Sequence, residues 1–78
     1  MRVRLTPSAE YDLEEVESHI AEHNPTAAIA TVLHILSSLQ HLGDHNEIGR
    51  PGRVQDAREW VIADTPFIAA YRIRADTV

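Results

Sequence analysis

Five arginines, Arg50, Arg53, Arg58, Arg72 and Arg74, gather in the second half of a 78-residue chain that contains no lysine. A guanidinium is a planar fork that meets a carboxylate or phosphate through two parallel hydrogen bonds, where a lysine offers only a point charge. Ile68 and Ala70 stand at alternate positions before Arg72 and Arg74. Arginine and apolar anchors on one surface mark a place where a partner docks. The candidate partner-binding residues are therefore Arg50, Arg53, Arg58, Ile68, Ala70, Arg72 and Arg74. Their plainer role would be to salt-bridge acidic side chains and keep a sheet edge soluble.

Other chemistry-bearing side chains form weaker patterns. His19 with His23, and His41 with His45, repeat at spacing four, which places each pair on one helical face as half of a metal site. On antiparallel helices of this length the two pairs would lie about 25 Å apart. Imidazoles near helix C-termini are also favoured by the dipole alone. No metal site is expected. Glu10, Asp12, Glu14, Glu15, Glu17 and Glu22 spread around a helix instead of converging on a pocket, so they read as a solvated face and not as an acid–base pair. No serine or histidine arrangement has an oxyanion signature, and Gly49 to Gly52 is too short for a phosphate loop. No catalytic residue and no cofactor is called for.

Charge is divided along the chain. Residues 6–47 hold eight acidic side chains and no arginine, whereas residues 48–78 hold five arginines and four acids, within a net charge of −5. The absence of cysteine excludes disulfides and thiolate chemistry. No leader-like opening and no membrane-length apolar run is present, so a cytoplasmic, membrane-free protein is expected. The length suits one small domain.

The elements that must hold these side chains follow from periodicity. Residues 1–5 alternate, with Val3 and Leu5 opposite Arg2 and Arg4, as in a half-buried strand. Thr6-Pro7 starts a helix over residues 7–23 whose stripe is Ala9, Leu13, Val16 and Ile20. Asn24-Pro25 caps and opens a second helix over residues 25–42. Its stripe is Ala28, Val32, Ile35, Leu39 and Leu42, widened by Ile29 and Leu36. The short link predicts an antiparallel hairpin. Residues 43–57 read as loop, with Pro51-Gly52 in a type II turn. Strands follow near Trp60–Ile62 and Phe67–Arg74, parted by Asp64-Thr65-Pro66. Phe67, Ala69, Tyr71 and Ile73 take the core face; Ile68, Ala70, Arg72 and Arg74 take the outer one. The predicted fold class is α+β: an N-terminal strand, then a helical hairpin packed on one face of a small, mainly antiparallel sheet.

The order of Gly49-Arg50-Pro51-Gly52-Arg53, Arg58-Glu59-Trp60 and Thr65-Pro66-Phe67-Ile68-Ala69-Ala70-Tyr71-Arg72-Ile73 resembles the ParE branch of the ParE/RelE toxin family. There a GRPGR-like loop precedes a strand beginning Arg-Glu, and the next strand reads like TPYIVAYRI. Ala9, Asp12 to Val16 and the Asn24-Pro25 to Ala28 helix start also match, so the resemblance spans nearly the whole chain. It implies a type II toxin–antitoxin system, in which the toxin is neutralised by a cognate antitoxin bound along its surface. ParE members are associated with poisoning of DNA gyrase, and RelE members with cutting mRNA on the ribosome.

An RNA-cutting member needs several basic groups against phosphate. This chain is acidic, and only Arg58 falls where a RelE-type phosphate-contacting arginine would. The resemblance thus implies an inhibitor acting on gyrase in preference to a ribonuclease, with no direct DNA binding by the toxin alone. A non-toxic ParE-like interaction module is the other reading. Family members usually continue beyond the equivalent of Asp76-Thr77-Val78 into another strand and a tail bearing His and Arg. Residues 1–78 are expected to form one toxin domain that stops before that strand.

Overall fold

The computed structural model describes residues 2–53 and 56–73. Its elements run α1 (Pro7–Ala21), α2 (Pro25–Asp44), β1 (Arg50–Pro51), β2 (Arg58–Val61) and β3 (Ile68–Tyr71). The fold class is α+β, as expected: two helices and a three-stranded antiparallel sheet of order β1-β2-β3. The chain divides into two compact units, residues 5–37 and residues 1–4 with 38–78.

In the first unit both helix starts are made by the residues that signal them. The Thr6 hydroxyl accepts from the Ala9 N–H at 3.1 Å, with Pro7 opening α1 behind it. Asn24 Oδ1 accepts from the Ala27 N–H at 3.0 Å, and Pro25 opens α2. Each cap satisfies a backbone donor that the first turn leaves without a helical partner. The α1 stripe of Ala9, Leu13, Val16 and Ile20 is half-buried, while Glu10, Asp12, Glu14, Glu15, Glu17 and Glu22 are exposed. In α2, Ala28 and Ile35 are buried. Ile29 and Leu36, expected to widen that stripe, are instead exposed. The buried arc is narrower than the apolar arc, so α2 carries apolar residues on two sides.

In the second unit α2 continues through buried Gly43 to Asp44, beyond the helix end expected at Leu42. Val3 half-buried against exposed Arg2 and Arg4 keeps the predicted alternation, but among the described residues 2–5 only Arg2 makes a β-bridge. Residues 43–57 are not all loop. Arg50 and Pro51 form β1, paired to Glu59 and Arg58. A strand of two residues has no periodicity to read; it exists through its partner. No glycine among the described residues has positive φ, so Pro51-Gly52 does not form the predicted type II turn. Asp56 takes φ 65° in its place. The Gly52 N–H donates to the Ala57 carbonyl at 2.7 Å, and a Cβ on Gly52 would meet that oxygen at 3.1 Å. Close backbone approach, not left-handed φ, is what favours this glycine.

The connection from β2 to β3 is closed by its own residues. Asp64 takes φ 63°, and the Thr65 hydroxyl donates to the Ile62 carbonyl at 2.9 Å while accepting from the Phe67 N–H at 3.1 Å. That turn sets the register Arg58 to Tyr71, Glu59 to Ala70, Trp60 to Ala69 and Val61 to Ile68.

Candidate functional site

Register decides which side chains share a face, because cross-strand Cα partners point the same way and neighbours along a strand point opposite ways. Arg50, Glu59 and Ala70 stand in one row across the three strands, and Val61 with Ile68 forms the next. This is the outer face. Pro51, Arg58, Trp60, Ala69 and Tyr71 occupy the other. Phe67, Ala69, Tyr71 and Ile73 are half-buried and Ile68, Ala70 and Arg72 exposed, as the alternation predicts. Arg74 lies outside the described residues.

The inner face is built around a latch. The Tyr71 hydroxyl donates to the Asn46 carbonyl at 2.7 Å and accepts from the Gly49 N–H at 3.0 Å. Arg58 Nη1 donates to the carbonyls of Glu47 and Gly49, at 3.1 and 3.2 Å. Two strand side chains thereby hold the segment that follows α2. Gly49 is buried beneath Tyr71: a Cβ there would lie 2.6 Å from Tyr71 Cε1 and closer still to the hydroxyl. Beside this latch the His41 ring lies 6.0 Å from Trp60 and 4.5 Å from His45, centroid to centroid. Among the described residues of this unit, Leu42 and Ile62 form the buried hydrophobic core.

Of the arginines named from the sequence, the structure therefore separates Arg58 from the rest of the outer face. Two of its five guanidinium N–H donors are committed to backbone carbonyls. Arg50 lies on the outer face and is largely exposed, with Nη2 3.7 Å from Glu59 Oε1. Arg53 is exposed, and its backbone N–H reaches Glu59 Oε2 at 3.5 Å. Arg72 is also exposed; with Arg58, Pro51, Asp56, Ala57 and Ile73 it lines an open groove of about 550 Å³.

Two outer-face residues escaped the sequence reading. Val61 is 54% exposed and Ile68, its cross-strand partner, 51%. Glu59 is the other, accepting from both Arg50 and the Arg53 backbone. Extending the alternation of the last strand back to Arg58-Glu59-Trp60-Val61 would have placed Val61 and Glu59 outward and Arg58 inward.

This face suits recognition by contact. A β-branched pair on a flat sheet surface offers apolar area, and Arg50 and Glu59 flank it with one charge of each sign. Among the described residues, no three His, Cys, Asp or Glu side chains lie where they could hold a metal ion, and no helix is long and apolar enough to cross a membrane.

Comparison with known proteins agrees with this architecture. Residues 3–78 match the family model for the ParE toxin of the type II toxin–antitoxin system parDE. Y4kP of Sinorhizobium fredii (strain NBRC 101917 / NGR234), a protein named as a toxin, is 39% identical over 75 residues, 96% of this chain and 78% of that relative. The solved chromosomal ParDE toxin–antitoxin system from P. aeruginosa contains a chain that superposes with a TM-score of 0.88. It covers 99% of this chain and 86% of that one, at 25% identity.

Proposed function

The chain belongs to the ParE toxin family of type II toxin–antitoxin systems, and on that premise we propose that a cognate antitoxin neutralises it through the outer sheet face. Free of the antitoxin, it acts on DNA gyrase. The observation that carries the antitoxin site is the exposed Val61–Ile68 pair beside the Arg50–Glu59 ion pair. The pair offers apolar area for a partner to cover, and flanking charges of both signs set the register of what lies there. Arg50, Arg53, Arg72 and Arg74 meet antitoxin carboxylates; Ile68, Ala70 and Val61 supply the contact area. Arg58 contributes by lining the groove shared with Arg72.

Gyrase is favoured over mRNA by charge. A nuclease must gather positive charge around a phosphate, whereas this chain is net −5 and its six helix-α1 and link carboxylates are exposed. The toxin acts by binding and not by catalysis, and needs no cofactor. The experiment is induced expression with and without the antitoxin, followed by a supercoiling assay with purified gyrase. The expected result is growth arrest relieved by the antitoxin, and supercoiling inhibited by the toxin. Growth arrest with intact gyrase activity and cleaved mRNA would replace the target; absence of arrest would reduce the chain to a binding module.

A further inference from the structure

Helix α2 ends in two histidines one turn apart, and the fold keeps their rings together. The His45 N–H donates to the His41 carbonyl at 2.9 Å and, more distantly, to that of Leu42 at 3.2 Å. The first bond spans four residues, so helical geometry runs on past Asp44 and holds His45 on the face of His41. Both side chains are exposed, and their ring centroids lie 4.5 Å apart. The other histidine pair differs. His23 lies beyond the end of α1 at Ala21, and its N–H donates to the Ile20 carbonyl at 3.1 Å, across three residues. That tighter turn departs from the spacing that sets two side chains side by side on a helix.

Two imidazoles held one turn apart can share an ion. Imidazole nitrogen suits Cu(II), Zn(II) and Ni(II), and Cu(II) binds most tightly of the divalent series. Charge along this stretch favours a cation. Asp44 and Glu47 line an open pocket of about 350 Å³ together with His45, and residues 38–49 hold no Lys or Arg. Arg58, on the same inner sheet face as Trp60, directs two donors to the carbonyls of Glu47 and Gly49.

We propose that His41 and His45 form a two-ligand site for a divalent transition-metal ion, Cu(II) in preference to Zn(II) or Ni(II), with water in the remaining positions. A structural zinc site takes four protein ligands; two make an exchangeable site that fills when free metal is present. Spacing alone predicts no metal, because the two histidine pairs cannot combine, but one pair already in register needs no second. The ion ties the last turn of α2 together directly before Asn46, whose carbonyl accepts from Tyr71. It supplies no step in toxin action, and the site stands apart from the toxin–antitoxin reading.

Trp60, the one tryptophan of the chain, reports on the site because its ring lies 6.0 Å from that of His41 in the same compact unit. Bound Cu(II) quenches its fluorescence through unpaired d electrons, and an ion that binds only the folded chain raises the melting temperature. The test is titration of the full chain, free of any affinity tag, with copper(II) chloride. Wild type is compared with His41→Gln, His45→Gln and the double variant His19→Gln/His23→Gln. Circular dichroism verifies each fold, and His45→Gln carries the test by itself if His41→Gln, which loses the ring beside Trp60, does not fold. Wild type and the α1 double variant are expected to show saturable quenching and a raised melting temperature. Losing even an outer-shell partner of a metal costs about 10-fold or more in affinity, so His45→Gln should weaken copper binding at least about 10-fold. Absence of saturable quenching in the wild type overturns the inference, as does quenching that His45→Gln leaves unchanged. Quenching abolished in the α1 double variant would assign the ion to His19 and His23 and overturn it too.

Discussion

The two faces of the β2–β3 hairpin use the same residue types for opposite purposes. On the inner face Arg58 and Tyr71, directly opposite one another, direct their polar groups at the backbone of residues 46–49. One residue further along each strand, Glu59 and Ala70 open the outer face, where Arg50 meets Glu59 at 3.7 Å in solvent and Val61 and Ile68 stand half exposed. Inner polar groups hydrogen-bond main-chain atoms of residues 46–49, three of these bonds part-buried, so their loss destabilises the fold. Outer ones are already solvated, and their energy is realised only when a partner displaces water. An arginine's role here is set by strand parity, not by its charge.

The largest effect is expected at the centre of the latch. Gly49→Ala needs no forbidden backbone angle, since Gly49 is not at positive φ, but its Cβ drives the Tyr71 ring out. Loss of both Tyr71 hydrogen bonds together with overpacking should cost about 2–4 kcal/mol, read as a lowered denaturant midpoint. A midpoint like the wild type's would show that Tyr71 can move freely and that the latch does not constrain the segment.

Arg58→Ala and Arg50→Ala set the two faces directly against each other. Removing Arg58 leaves the Glu47 and Gly49 carbonyls without their guanidinium donor and should cost about 1–3 kcal/mol. Removing Arg50 breaks only a long ion pair whose arginine is largely exposed and should cost about 0–1 kcal/mol. Equal unfolding free energies for the two variants would erase the distinction between the faces. Tyr71→Phe should fall close to Arg58→Ala, at about 1–2 kcal/mol, because the Gly49 N–H and Asn46 carbonyl each lose a partner.

The smallest effect on folding is expected where the effect on binding is greatest. Ile68→Ser should leave thermal stability within about 0.5 kcal/mol, since the side chain is half exposed at a surface position. A large drop in melting temperature would mean that the outer face is structural too.

Local signals carried the helices through from sequence to structure. Thr6-Pro7 and Asn24-Pro25 specify caps through atoms within three residues, so the starts of α1 and α2 were legible and correct. The alternation from Phe67 to Ile73 was likewise readable, because burial in a strand follows a period of two. What escaped depends on distant chain. The β1 strand is two residues long and exists only as a partner of Arg58 and Glu59. Gly52 was assigned to a type II turn from its Pro-Gly neighbourhood, but what crowds it is the Ala57 carbonyl, five residues away. Ile29 and Leu36 belong to an apolar arc wider than the arc the fold buries, and sequence alone reports only the former. Grouping Arg58 with the outer arginines followed residue type where parity was the better guide.

On this reading the outer face of the sheet is a partner surface while the inner face holds the fold. That division is tested most directly by titrating the cognate antitoxin into wild-type toxin, Val61→Ser/Ile68→Ser and Arg58→Ala, with the folded fraction of each verified beforehand. The outer double variant should fold as the wild type does yet bind at least about 100-fold more weakly, as expected when a central apolar contact is lost. Arg58→Ala should lose stability, and its folded fraction should retain affinity within about tenfold, since it keeps the central apolar contact. Undiminished affinity in the outer double variant, with binding abolished in folded Arg58→Ala, would contradict it.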